Sequence, residues 1–106
     1  MNGNSEFESI NLDEIIHYAE AGVVSAQSDL GCLYLDGDIV EQDIEKGLYW
    51  LTKAAEQDYE VAQYLLGKYY CNGEIVEKDT EKGLYWFSKA AENWSIMHVI
   101  RRLLMK

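Results

Sequence analysis

Two histidines, two cysteines and nineteen carboxylates are the side chains here with chemistry to offer. His17 and His98 stand far apart, and neither has a second histidine, a cysteine or a carboxylate at the spacing of a metal-ligand set. Glu14 precedes His17 by one helical turn, which reads as a pair on a helix surface. Cys32 and Cys71 form no C-x-x-C unit, so a zinc site is not expected. A disulfide between them requires their helices to face each other; two reduced, half-buried thiols are the simpler expectation in a reducing compartment. The glycines are singletons rather than a phosphate-cradling loop, and there is no G-x-S-x-G elbow. The carboxylates fall on predicted surfaces, where nothing desolvates them enough to divide acid and base roles between a pair. The expectation is no catalytic residue, no metal, no cofactor and no enzymatic activity.

What organises these residues is a repeat. Residues 26–57 recur as residues 62–93, offset by 36 positions, with twenty of the 32 pairs identical. Ala26, Gln27, Leu30, Gly31 and Tyr34 return as Ala62, Gln63, Leu66, Gly67 and Tyr70. Glu45-Lys46-Gly47-Leu48-Tyr49-Trp50 returns intact from Glu81 to Trp86, and Lys53-Ala54-Ala55-Glu56 from Lys89 to Glu92. A period in the mid-thirties with helical patterning specifies stacked helix pairs, an architecture that holds partners more often than it runs chemistry.

The elements follow from caps and periodicity. Residues 1–10 read as a frayed lead-in from which Phe7 and Ile10 could dock on the first helix. Asn11 and Glu14 form a capping-box pattern that opens a helix to about Ala21, with Gly22 ending it. Further helices are predicted over about 25–35, from an Asp43 cap to about Gln57, over about 60–71, and from an Asp79 cap to about Asn93. Trp94-Ser95 would then start a sixth, capping helix over 95–106. Apolar residues fall at helical spacing: Leu48, Leu51, Ala54 and Ala55 on one face, and Leu84, Phe87, Ala90 and Ala91 on its copy. Glycine inside a helix costs about 1 kcal/mol against alanine, so the recurrence of Gly31 at Gly67 argues for close approach of a neighbouring helix. Gly47 and Gly83 can serve the same contact. The recurring Tyr49-Trp50 and Tyr85-Trp86 read as core packing between helices. Met97, Ile100 and Leu104 follow the groove spacing onto the last helix and either floor the groove for a partner or pack on the preceding helix, the second being the main expectation. Proline is absent.

The net charge of −10 is unevenly spread. Residues 1–45 hold eleven acids and no lysine or arginine, whereas residues 46–106 hold eight acids against nine bases. Nucleic acid is disfavoured as a partner, since phosphates need a basic footprint. A basic protein is favoured, because opposite fields speed encounter. The N-terminus shows neither the basic nor the apolar segment of a signal peptide, and no stretch is apolar enough to span a bilayer, so a cytoplasmic location is expected.

These residues resemble the Sel-1-like repeat family, relatives of the tetratricopeptide repeats. The first copy carries the family pattern as Ala26, Leu30, Gly31, Tyr34, Gly37, Val40, Asp43, Lys46, Trp50 and Lys53-Ala54-Ala55. The second carries it as Ala62, Leu66, Gly67, Tyr70, Gly73, Val76, Asp79, Lys82, Trp86 and Lys89-Ala90-Ala91. Two departures concern corner geometry: the family alanine after the lysine is Gly47 or Gly83, and the glycine after K-A-A is Asp58 or Trp94.

The resemblance implies an all-α fold, an α-solenoid of about six helices in antiparallel pairs wound into a right-handed superhelix. It implies a single domain over 11–106, with repeats at about 24–59 and 60–95 and a half-repeat at each end. It also implies a concave groove, lined by the first helix of each pair, that holds a peptide or a protein. On this chain the groove positions are Ser25, Ser28, Cys32, Leu35 and Asp36 in the first copy, and Val61, Tyr64, Lys68, Cys71 and Asn72 in the second. These are positions where the copies differ while the packing positions match. The acids Asp29, Asp38 and Glu41, together with the unmatched Tyr69, complete the expected partner surface, and Trp94 is a further unmatched aromatic. Size and acidity suggest an inhibitor or immunity-type protein that neutralises a basic toxin such as a nuclease. An adaptor holding a peptide in its groove is the alternative. The expected state is a monomer, with end-to-end stacking as the route to a dimer.

Overall fold

The computed structural model describes residues 11–104, apart from the side chains of 95–99. Five helices occupy this span: α1 (Leu12–Glu20), α2 (Val24–Asp36), α3 (Ile44–Glu56), α4 (Glu60–Asn72) and α5 (Thr80–Leu104). Each packs on its neighbours in sequence, α1 on α2, α2 on α3, α3 on α4 and α4 on α5, which is the one-dimensional contact pattern of an α-solenoid of antiparallel helix pairs. The expected lead-in over 1–10, with Phe7 and Ile10, lies outside the described residues.

The caps are those the sequence encodes. Asn11 Oδ1 accepts from Glu14 N at 3.1 Å, Asp43 Oδ1 from Lys46 N at 3.0 Å and Asp79 Oδ1 from Lys82 N at 3.1 Å. Each satisfies a backbone N–H that a helix start leaves orphaned. Gly37 and Gly73 close α2 and α4 in the left-handed region, at φ 72° and 67°, where a side chain would be strained.

The glycines inside the helices mark the closest approach of each pair. A Cβ on Gly31 would lie 2.8 Å from Leu51 N and 2.9 Å from Gly47 O, so the backbones of α2 and α3 touch. A Cβ on Gly83 would meet Cys71 N and Gly67 O, each at 2.9 Å. Glycine at Gly47 and Gly83 therefore completes a glycine-on-glycine crossing in both copies.

Between pairs the link is polar. Gln27 and Gln63 are 1% and 0% exposed. Gln27 Nε2 donates to Ala19 O and Gln63 Nε2 to Ala55 O, both at 3.0 Å. Their oxygens accept from Gln57 Nε2 at 2.7 Å and Asn93 Nδ2 at 2.9 Å. Each buried amide thus ties the end of one pair to both helices of the next. No buried side-chain nitrogen or oxygen among the described residues lacks a partner, as buried polar groups require.

Three expectations need correction. The break at Trp94-Ser95 does not occur, because α5 runs unbroken from Thr80 to Leu104. The corresponding corners are made by Gly22 at φ 101° and Asp58 at φ 66°. Asp tolerates the left-handed region and a bulky aromatic resists it, so with Trp94 at this position the helix continues. One consequence is that no further helix among the described residues covers α5: Ala91 and Leu84 are exposed, whereas Ala55 is buried and Leu48 half-buried. Secondly, Tyr49 and Tyr85 are not core residues. They are 57% and 53% exposed, each edge-on to its neighbour Trp50 or Trp86, and only Trp86 is buried. Thirdly, Ile100 and Leu104 do not pack on the preceding helix, being 50% and 80% exposed; the Met97 side chain lies outside the described residues.

Candidate functional site

The first helices of the two pairs, α2 and α4, meet around Tyr69. Tyr69 on α4 is buried among neighbours that include Cys32 and Asp36 of α2 and Glu74 of the following loop; burial, then these groups, raise its pKa. The Cys32 thiol is pushed up to about 11, first by burial and then by Asp36 and Asp29. Both acids therefore flank the thiol on one stripe of α2, one helical turn away on either side. A thiol so placed stays protonated and is a poor nucleophile. Beside it opens a cavity of about 410 Å³ lined by Ile15 of α1 and by Asp29, Cys32 and Leu33 of α2. The site is a largely apolar depression with one carboxylate, Asp29, in its wall and Asp36 one turn beyond Cys32.

The structure sorts the expected partner-binding residues into several groups. Ser25, Asp29 and Asp36 on α2 are exposed, as are Tyr64 and Asn72 on α4, while Cys32 and Lys68 are half-buried. Asp38 and Glu41 are exposed on the 37–43 loop. Glu41 lines a separate cavity with Leu12, Tyr34, Val40, Gln42, Asp43 and Lys46, away from Asp29 and Cys32. Ser28 and Tyr69 are 3% and 9% exposed, so they form the wall beneath the surface. Leu35 and Cys71 face the other way. Leu35 fills the space beside Gly47, Cys71 Sγ sits against Gly83, and Leu35 is 1% exposed. Difference between the copies marked them as groove residues, yet the difference is a change of size in a glycine cleft. Tyr64 leans over the α4–α5 seam, its ring centroid 5.7 Å from that of Phe87.

Sequence reasoning missed the outer aromatic positions. Tyr49 carries Lys53 at 5.8 Å over its ring, while Lys46 caps Tyr34 at 5.5 Å and Lys82 caps Tyr70 at 4.9 Å. These cation–π contacts explain why lysine and tyrosine recur together. The available signal was the lack of a helical partner for Tyr49 on the 48–51–54–55 face.

Among the described residues no group of three His, Cys, Asp or Glu side chains is placed to hold a metal ion. No helix among them is long and apolar enough to cross a membrane.

Paired helices, glycine crossings and a surface that varies over an invariant frame define a helical-repeat protein. The Sel1 repeat signature matches residues 24–59 and 61–93, and the chain belongs to the Sel1 repeat family. It is similar to a protective antigen present in uropathogenic Escherichia coli strains that displays an SLR fold. The two are 38% identical with a TM-score of 0.73, over 78% of this chain and 18% of the antigen. It is also similar to a Sel1 repeat protein from Oxalobacter formigenes, at 38% identity and a TM-score of 0.69, over 76% of this chain and 61% of that one. The chain thus spans less than two thirds of either neighbour. No curated protein matches it. Sel1 repeats are protein-interaction modules, and the fold is generally non-catalytic.

Proposed function

We propose that this chain binds a basic protein through the acidic face of α2 and acts as a small inhibitor, in its most concrete form neutralising a basic toxin such as a nuclease. The supporting observation is Asp29 in the wall of the apolar depression of Ile15, Cys32 and Leu33, with Asp36 on the other side of Cys32 along α2. An apolar centre with a charged rim suits a protein interface, and the eleven acids of residues 1–45 supply a steering field. Exposed Ser25 and Asn72 extend the contact along α2 and α4, with Asp38 and Glu41 adding charge at the loop. The protein acts by covering its partner and catalyses nothing.

The test is capture of partners by the tagged protein at low and high salt, followed by association kinetics. A single basic protein that leaves at high salt, with an on-rate falling steeply as salt rises and an off-rate changing less, is the expected result. An on-rate flat across salt removes the acidic face from the mechanism. A second reading, an adaptor holding a peptide, is favoured by Tyr64 and Lys68, which put an aromatic ring and a cation on α4 where α2 has Ser28 and Cys32. It predicts that Tyr64→Ala and Lys68→Ala weaken binding more than charge reversal at Asp36 or Glu41.

A further inference from the structure

The continuation of α5 past the second repeat leaves an apolar stripe without cover. Ile100, Leu103 and Leu104 are 50%, 61% and 80% exposed, and their spacing of three and four residues places them on one helix face. Arg101 and Arg102 beside them are also exposed, and residues 94–104 contain no acid. The end of α5 is therefore a basic, amphipathic helix. At the opposite end of the solenoid, α1 and α2 carry Asp13, Glu14, Glu20, Asp29 and Asp36 with no lysine or arginine. There the depression of Ile15, Cys32 and Leu33 is open.

We infer that the C-terminal part of α5 docks on the acidic α1–α2 face of a second copy of this chain, so that copies associate head to tail. Charge complementarity selects this occupant. Two α5 ends packed on each other would bring four arginines together, and like charges at such a contact oppose association. On α1–α2 the leucines meet an apolar depression and the arginines meet Asp29 and Asp36, the bidentate pairing that guanidinium and carboxylate favour. Donor and acceptor are different patches, so the contact is heterologous, and each added copy presents a free acceptor. The acceptor is the face assigned above to a basic partner, so self-association and partner binding compete.

The test uses the full chain alone, by sedimentation velocity over a wide concentration range at low and high salt. Average mass should climb past two copies with concentration and fall to one copy at high salt. A single copy under all conditions overturns the inference. So does a mass that stops at two, because reciprocal packing of α5 ends on the uncovered Leu84 surfaces would give that limit. The variants Arg101→Glu/Arg102→Glu and Asp29→Lys/Asp36→Lys change exposed side chains, and each alone should remain a single copy. Mixed, they should assemble past two copies by alternation, since the acidic tail of the first fits the basic face of the second and the unchanged arginine tail of the second fits the unchanged acidic face of the first. No association on mixing, or undiminished assembly of either variant alone, overturns the inference. No other protein is present in these experiments, so their failure leaves the basic-partner reading standing.

Discussion

Replacing Gly31 with alanine tests the helix crossing that sets the shape of the α2 face. The added Cβ would lie 2.8 Å from Leu51 N, 2.9 Å from Gly47 O and 3.1 Å from Leu51 Cβ. Carbon contacts relax at about 3.5–4.0 Å, so α3 must retreat by roughly 0.7 Å or more. Two of the three obstructing atoms are backbone, and no rotamer change clears them. Overpacking of this kind costs about 1–3 kcal/mol. Alanine returns about 1 kcal/mol of helix propensity. With backbone against backbone the steric cost falls in the upper part of that range, about 2–3 kcal/mol, for a net loss of about 1–2 kcal/mol. In a domain of this size that lowers the thermal midpoint by about 4–16 °C, measurable by circular dichroism during heating. Gly67→Ala supplies the comparison: there the three atoms nearest the Cβ are all ring atoms of Phe87, at 2.6–2.9 Å, and a side chain can give way. It should cost less than Gly31→Ala. A Gly31→Ala midpoint at or above the parent's, or the reverse ranking, would refute the reasoning.

Gln63→Leu should destabilise the fold by about 1–3 kcal/mol in urea, because it removes two hydrogen bonds at a buried junction and leaves Ala55 O and Asn93 Nδ2 only their bonds with Asp58 N and Asp58 O. Cys32, raised from 9.0 to about 11, binds its proton more tightly folded than unfolded. Its contribution to stability is complete below pH 9 and is lost as pH rises through about 11. In a Cys71→Ser background the alkylation rate of Cys32 should keep climbing above pH 9 instead of levelling there. The Cys32→Ser urea midpoint should lose its deficit relative to the parent over the same range. Trp94→Gly should supply the corner that Gly22 and Asp58 make elsewhere and split α5, seen as a loss of helical backbone shifts at residues 93–95 by NMR.

Most of the frame was legible because packing repeats. The 36-residue identity located the caps at Asp43 and Asp79, the left-handed glycines and the helix crossing at Gly31 and Gly67. The surface was less legible, since variation between copies marks both exposed positions and size-compensating buried ones. Asp29 and Asp36 belong to the first kind, Leu35 and Cys71 to the second, and only the neighbouring glycine distinguishes them. Recurrence misled in the opposite direction at Tyr49 and Tyr85. Identity there was read as burial, although the rings are exposed and each repeats its contact with the adjacent tryptophan. The run of α5 through Trp94 was visible as a departure from the family pattern. Its consequence depends on backbone sterics at one residue, which an aligned motif does not express.

That one residue changes what the molecule exposes. Where Asp58 turns the chain, the next helix covers Ala55 and brings Gln63 to the carbonyl at the end of α3. Where Trp94 carries the helix onward, Leu84 and Ala91 stay uncovered and Ile100, Leu103 and Leu104 are presented to solvent. A repeat protein normally blunts its last repeat with a polar outer face. Here α5 keeps an apolar stripe and adds two arginines, and α1 and α2 carry carboxylates with no lysine or arginine of their own. Exposed apolar area at one end with complementary charge at the other raises the risk of aggregation unless something occupies it. On the proposals above the two ends serve as binding surfaces, with the repeat between them holding their spacing fixed.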